Sequence, residues 1–278
     1  MTAQSPSPVG MAVLAVAALV LAGCAQMTAS SGTGSTPVAA GAAASPAAQA
    51  SPTPSMMAAR QALLASVNHM TTTIYRFTGG QEDLTTHGHA DPVHRAASLA
   101  ATGTMQGMPF NQDVIAIGTN YWIKLDLGAQ NDTGLGIDPT KWMHLDATKL
   151  GKAANLPFDL AGAGDVLDIT GLLDAVGTAQ RVDATHYTGT IDMTVAAGVS
   201  AMTQENLTKL GAKAKTMPFS ATLDDQGRLT ELIVDGSAVD KALGARFAFM
   251  QFGKAFPINR PVHNVVEAPA GVYDLFKH

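Results

Sequence analysis

Apolar residues recur along this chain with two periods, and the change from one to the other sketches its elements. After Pro54, from Met56 on, Leu63, Leu64, Val67 and Met70 fall three or four apart, which predicts one amphipathic helix. Beyond it the period drops to two. In Tyr121 to Leu127, Tyr121, Ile123, Leu125 and Leu127 share one side and Trp122, Lys124 and Asp126 the other. Tyr187 to Val195 alternates likewise, with Tyr187, Ile191, Met193 and Val195 opposite Thr188, Thr190, Asp192 and Thr194. Lys141 to Asp146 repeats the pattern with Trp142 on the outer side, and Phe219 to Asp235 holds two strand-like runs around Asp224-Asp225-Gln226-Gly227, a hairpin turn. Arg246 to Phe252 and His263 to Glu267 are two further strand candidates, separated by Pro257 and Pro261. Helical spacing returns at Ile169 to Val176, with Leu172, Leu173 and Val176 as its stripe, and at Val199 to Lys215, with Met202, Leu207 and Leu210.

A largely antiparallel sheet with one apolar face must be covered, and these helices are the available cover, so the class is α+β with one domain over residues 56–278. No internal repeat interrupts it. The stretch from Gly79 to Arg95, with Gly88, Asp91 and Pro92, is expected to be a solvent-facing loop.

The first 55 residues follow a different grammar. Val9 to Leu21 is a nearly unbroken apolar run of thirteen residues, too short to span a bilayer and suited to the core of a signal peptide. The positive segment usual before such a run is missing, since Met1 to Gly10 holds no Lys or Arg. The run ends in Leu21-Ala22-Gly23-Cys24, which resembles the bacterial lipobox. That resemblance implies removal of residues 1–23 as a lipoprotein signal peptide and acylation of the Cys24 thiol, with anchoring of the chain to the outer face of a membrane. From Ala25 to Ser55 the chain is almost wholly Ala, Ser, Thr, Gly and Pro without a charge, which makes 24–55 a lipidated cysteine followed by a disordered tether.

Composition narrows the function classes. The 17 Lys and Arg against 22 Asp and Glu leave a net charge of -5 and no basic cluster of the size nucleic acid needs. Cys24 is the single cysteine, so the folded part carries no disulfide, no thiolate metal site and no cysteine nucleophile. His87, His89 and His94, with Asp83 and Asp91 nearby, are weak candidates for a metal site; a polar loop is the plainer reading of that spacing. No nucleophile elbow, zinc-protease helix or phosphate loop is present, so neither enzymatic activity nor a cofactor is expected. Asp183, Asp224 and Asp225 sit where turns want a local hydrogen-bond acceptor and read as structural.

Four stretches together resemble the actinobacterial lipoproteins of the LppX and LprG kind, which share a half-barrel fold with the LolA lipoprotein carriers. They are Gly118 to Leu125 with Lys141 to Leu145; Gly171 to Val176, before strands that start at Ala179; Pro218 to Leu229; and Phe252-Gly253 with Pro261 to Pro269, which is similar to the family's closing strand pair. Gly79 to Arg95 and Ala129 to Asp138 have no counterpart in the family pattern. The resemblance implies a curved, largely antiparallel half-barrel with helices over its concave face, and a hydrophobic cavity between them that holds the acyl chains of a lipid or lipidated ligand. Ile123, Leu125, Leu172, Leu173, Val176, Tyr187, Ile191 and Met193 are the candidate lining, and the same stripes are equally what a plain core needs. Two functions are open: an envelope lipid carrier anchored through Cys24, or an envelope protein-interaction module with a filled core.

Overall fold

The computed structural model describes residues 53–81, 83–105, 108–128, 136–150, 167, 169–196, 204–237, 239 and 243–275. Leu21, Ala22, Gly23, Cys24 and the tether as far as residue 52 lie outside the described residues, as do Val199 and Met202. Helix α1 (Pro54–Thr72) starts two residues before the predicted boundary because Thr53 caps it, its hydroxyl accepting from the Met56 N–H at 3.4 Å, and Pro54 is tolerated where no helical N–H is required. The helix buries Ala59, Leu63, Ser66, Val67 and Met70, with Leu64 on the flank; the Ser66 hydroxyl is satisfied by donating to the Leu63 carbonyl at 2.6 Å.

Twelve strands follow: β1 (Tyr75–Gln81), β2 (Leu84–Asp91), β3 (Ala96–Met105), β4 (Met108–Ile117), β5 (Asn120–Asp126), β6 (Trp142–Asp146), β7 (Val176–Arg181), β8 (His186–Ile191), β9 (Met217–Leu223), β10 (Leu229–Val234), β11 (Ala245–Met250) and β12 (Val265–Glu267). They form one sheet in the order β12-β6-β5-β4-β3-β2-β1-β11-β10-β9-β8-β7, antiparallel except for the β12–β6 pair, and neither closed nor strongly curled. Two sequential meanders, β1–β6 and β7–β11, are thus joined by the β1–β11 ladder. Helix α2 (Ile169–Asp174) packs on α1, which lies against β7 and, less extensively, β10; α3 (Gln204–Leu210) continues into a 3-10 turn at Gly211–Thr216, and α4 (Ala270–Leu275) ends the described chain.

Several expectations need correction. Gly79 to Arg95 is no loop: it contributes to β1 and forms β2, an interior strand of the sheet. Gly88 is a strand glycine because its partner Phe77 lies over it; a Cβ there would meet the Phe77 ring at 2.5 Å and the Ser98 carbonyl at 2.0 Å. The strand predicted over Tyr187–Val195 stops at Ile191, since the Asp192 carboxylate captures the N–H and hydroxyl of Thr194 at 2.9 and 2.5 Å, and Val195 is exposed. Val176 belongs to β7 and not to the helix before it. β11 and β12 do not pair with each other: β11 sits between β1 and β10, and β12 at the far edge beside β6. The Asp224–Gly227 hairpin is as read, Gly227 taking φ +76° and Asp224 accepting from the Gln226 and Arg228 N–H groups.

Aromatic rings hold the two meanders together. The Tyr75 ring on β1 meets Phe249 on β11 at 5.9 Å, near-perpendicular, and also lies 5.9 Å from Phe252 and 6.3 Å from Phe77. Arg228 lies over the outer ring, Phe252, at 4.9 Å. Because Phe249 is 2% exposed and packs edge-on against Tyr75, the centre of this cluster, Phe249→Ala is expected to destabilise the fold by about 3–5 kcal/mol, read as a lowered urea midpoint.

A recurrent turn fixes the strand ends. In Asp138-Pro139-Thr140, Asp146-Ala147-Thr148, Asp183-Ala184-Thr185 and Asp192-Met193-Thr194, one carboxylate oxygen accepts from both the N–H and the hydroxyl of the threonine two residues on. The Thr140 hydroxyl and N–H, then Lys141, pull the Asp138 carboxyl down to about 2. Thr148 lowers Asp146, and the Thr185 N–H with His186 lowers Asp183. A carboxyl depressed in the folded state stabilises above its unfolded value of 3.8 and loses that contribution as pH falls through the folded value. The urea midpoint is therefore expected to drop between about pH 4 and 2, and Asp138→Asn to reduce that slope.

Candidate functional site

The inward side chains of the sheet line up in rows across the strands. One row runs Leu145, Tyr121, Ala116, Ala97, Ala90, Tyr75 from β6 to β1; a second runs Leu125, Gln112, Ala101, Thr86, Gly79, Phe247 from β5 to β11. In the first row the middle is small and its ends are large; in the second Gln112 interrupts the small residues. Between the two a third row, Ile123, Val114, Leu99, Gly88, Phe77, Phe249, puts larger side chains on β4 and β3, so β2 to β4 form a shallow trough of mixed side-chain size walled by Tyr121 and Leu125 on one side and Tyr75 and Phe247 on the other. The trough is covered within the protein: Ala90, Ala97, Ala101 and Ala116 have no exposed surface. Among the described residues Ser66, Thr86 and Gln112 are the buried polar ones, and the latter two sit in this floor.

The eight predicted lining residues are all buried, between 0 and 5% exposed, and all belong to one continuous apolar cluster. They do not converge on one point. Leu172 and Leu173 on α2, Val176 on β7, Tyr187 and Ile191 on β8, and Met193 just past it gather at the β7 end of the sheet near α1. Ile123 and Leu125 lie on β5, with seven strands between them and β8 along the sheet. The trough is nearer to β5 than to β8. None of its small residues stands out in the sequence, since Ala and Gly mark a floor only once the register shows which of them are neighbours.

The three histidines do not gather into one site. His87 and His89 point from β2 to the outer face of the sheet, and His94 lies in the turn beyond it, where its Nδ1 is 2.7 Å from Asp91 Oδ2. Asp91 also accepts from the His94 N–H at 3.1 Å, so that carboxylate is consumed by the turn. His89 stacks on Phe256 at 4.3 Å and approaches the Ser98 hydroxyl at 3.4 Å. Among the described residues no three His, Cys, Asp or Glu converge as a metal site would require.

Phe256 reaches His89 because residues 251–264 form a strap over the outer face. The chain leaves β11 in the middle of the sheet and re-enters at β12, crossing β1 to β6, a span of about 33 Å at strand spacing, which these residues cover only when largely extended. Pro257 and Pro261 suit that conformation. Gln251 and Asn264, at φ +57° and +55°, turn the chain out of the sheet and back into it, and the Gly253 N–H donates to the Ile74 carbonyl at 2.8 Å.

At its far end the strap bounds an open cleft of about 530 Å³ with Asn120, Trp122, His144, Arg260, Pro261, Val262, Val265 and Glu267. His144 reads as isolated in sequence, yet its ring lies 5.4 Å from the Trp122 indole, with Nδ1 2.8 Å from Glu267 Oε1 and Nε2 2.9 Å from Asn120 Oδ1. A second open cleft, about 480 Å³, lies where β1, β2, β10 and β11 end, around Gly79, Gly80, Gly244 and Arg246. None of the eight predicted residues lines either cleft.

Burial first, then the charge of Arg76 and the neighbouring His87, lower the His89 pKa below its ordinary 6.5. With the folded value depressed, the unfolded chain takes up the proton first, so this contribution is present above pH 6.5 and lost as pH falls below it. His89→Gln is expected to flatten the rise of the urea midpoint between about pH 5 and 7, and His87→Gln to flatten it less. No protein-family model matches the chain, and no curated protein matches it at a significant level.

Proposed function

We propose that this protein is a membrane-anchored envelope lipoprotein that binds acyl chains of a lipid or lipidated molecule, acting as a carrier or chaperone for them. The observation that carries the reading is the shallow trough: beside Leu99, Val114 and Gln112 its floor is Ala, Gly and Thr between aromatic and Leu walls, which suits a long apolar body lying along the sheet. Recognition there is non-directional burial, at about 0.8 kcal/mol per CH₂, and asks for no polar constellation. The sheet would then act as the half-barrel of the LppX and LprG kind, its covered face holding the chain. Cys24, acylated, would fasten the domain to the outer face of the cytoplasmic membrane or to another envelope membrane.

One observation favours a second reading, an envelope protein-interaction module with a filled core: the eight candidate residues are no more than 5% exposed, and both clefts lie away from them. Native mass spectrometry of the full protein extracted from membranes separates the two. The carrier should show Cys24 diacylated and about one further acyl lipid per chain, and Ala97→Leu, which shallows the trough, should lower that occupancy with little change in stability. In a filled core the same substitution would cost about 1–3 kcal/mol and no lipid would be carried or taken up.

A further inference from the structure

The end of the domain that the proposed tether joins can be located. Arg60, in the second turn of α1, donates to the Asp174 and Val176 carbonyls at 2.9 and 3.1 Å; the Asp192 N–H donates to Ala175 O at 2.9 Å, and the Met193 N–H to Ala214 O at 2.8 Å. These bonds set side by side the start of α1, the end of α2, the turn after β8 and the 3-10 turn before β9. Thr53, where the tether joins, projects about 10 Å beyond Arg60 along the helix axis. On this end Met57 and Val195 are 49% and 64% exposed. Beside them Lys209, Lys213 and Lys215 are exposed, three cations within seven residues of a chain whose net charge is -5. Acidic groups on the same end include Asp174, Asp192 and Asp235, the last two already bonded to Thr194 and Ser237.

We propose that this end is a docking face for an anionic phospholipid surface, with Met57 and Val195 entering the interface and the lysines meeting headgroup phosphates. The inference rests on the anchored reading above, and its occupant follows from where the chain goes. The 29 residues from Cys24 to Pro52 would lead from this end to the acyl chains, and a coil of that length and of their Ala-, Ser-, Thr-, Gly- and Pro-rich composition spans only about 30 Å on average. So short a leash holds the face at a high effective concentration near headgroups, and a shallow apolar and cationic contact that would fail for a free protein suffices. With this end down, the strap and its cleft ride on the outer face of a sheet whose strands stand away from the bilayer.

The test uses the full acylated chain on vesicles of phosphatidylcholine with roughly one-third phosphatidylglycerol, and on phosphatidylcholine alone. Acylation blocks Cys24, the chain's only cysteine, so Met57→Cys, Val195→Cys and Val93→Cys each accept one environment-sensitive fluorophore. Val93 is 65% exposed in the turn at the opposite end and serves as the control. Brominated lipids should quench positions 57 and 195 but not 93, only on the anionic vesicles, and the double variant Lys213→Glu, Lys215→Glu should reduce that quenching at least fivefold. Equal quenching at all three positions, none at 57 and 195, or indifference to either the anionic lipid or the charge reversal would overturn the docking face. The intact mass of the same sample reports the acyl groups on Cys24 separately. An anchored domain that stands off the bilayer is thereby distinguished from a chain never anchored, which would overturn the premise itself.

Discussion

Everything in this fold hangs on the joining of β1 to β11. Each meander is built from strands that follow one another in sequence, and each alone would leave an unsatisfied row of N–H and C=O groups along one side. The β1–β11 ladder removes both exposed rows at once, and the ring cluster of Tyr75, Phe77, Phe249 and Phe252 gives that ladder a dry, well-packed inner side. The strap depends on the same joint. Because β11 is placed in the middle of the sheet, the chain must cross it to reach the β6 edge, and it does so over the outer face; from that crossing come the stacking of Phe256 on His89 and the cleft at Trp122 and His144.

The two faces of the sheet therefore serve different chemistry. The inner face is largely apolar, with its small residues most frequent on β2 to β4, and is partnered by helices at its β7 end. The outer face carries Thr, Ser, Asn and His side chains, and is crossed by one proline-containing strap and open to water around it. The turns between are stiffened by Asp-x-Thr pairs, which satisfy backbone N–H groups at the strand ends without a long side chain.

Legibility in the sequence followed side-chain size. β5, β6, β8 to β11 and α1 alternate or recur in bulky residues such as Tyr121, Ile123, Leu125 and Phe249, and their periods are plain. β2 and β3 alternate too, but in Thr86, Gly88 and Ala90, or Ala97, Leu99 and Ala101, where inward and outward positions differ little in hydropathy, so β2 passes for a loop. The end of β8 was obscured for the opposite reason: Met193 and Val195 extend the alternation past the Asp192 turn that breaks the ladder. The pairing of His144 with Asn120 and Glu267 could not be read from spacing at all, since Glu267 arrives beside His144 only through the crossing of the strap and the parallel pairing of β12. The same holds for the trough, whose floor exists only across neighbouring strands.

The joint between the meanders also sets a schedule. As the chain emerges, β1 is among its first strands and its partner β11 among its last, with some 160 residues between them. Throughout that interval the growing polypeptide presents β1 as a bare edge, the kind of surface on which nascent chains aggregate. Arg76 and the Gly79-Gly80 pair on that edge are poor templates for a foreign strand, a charge and two flexible residues where Val or Ile would invite pairing. The segment that must wait longest for its neighbour is thus also the one whose composition best protects it while it waits.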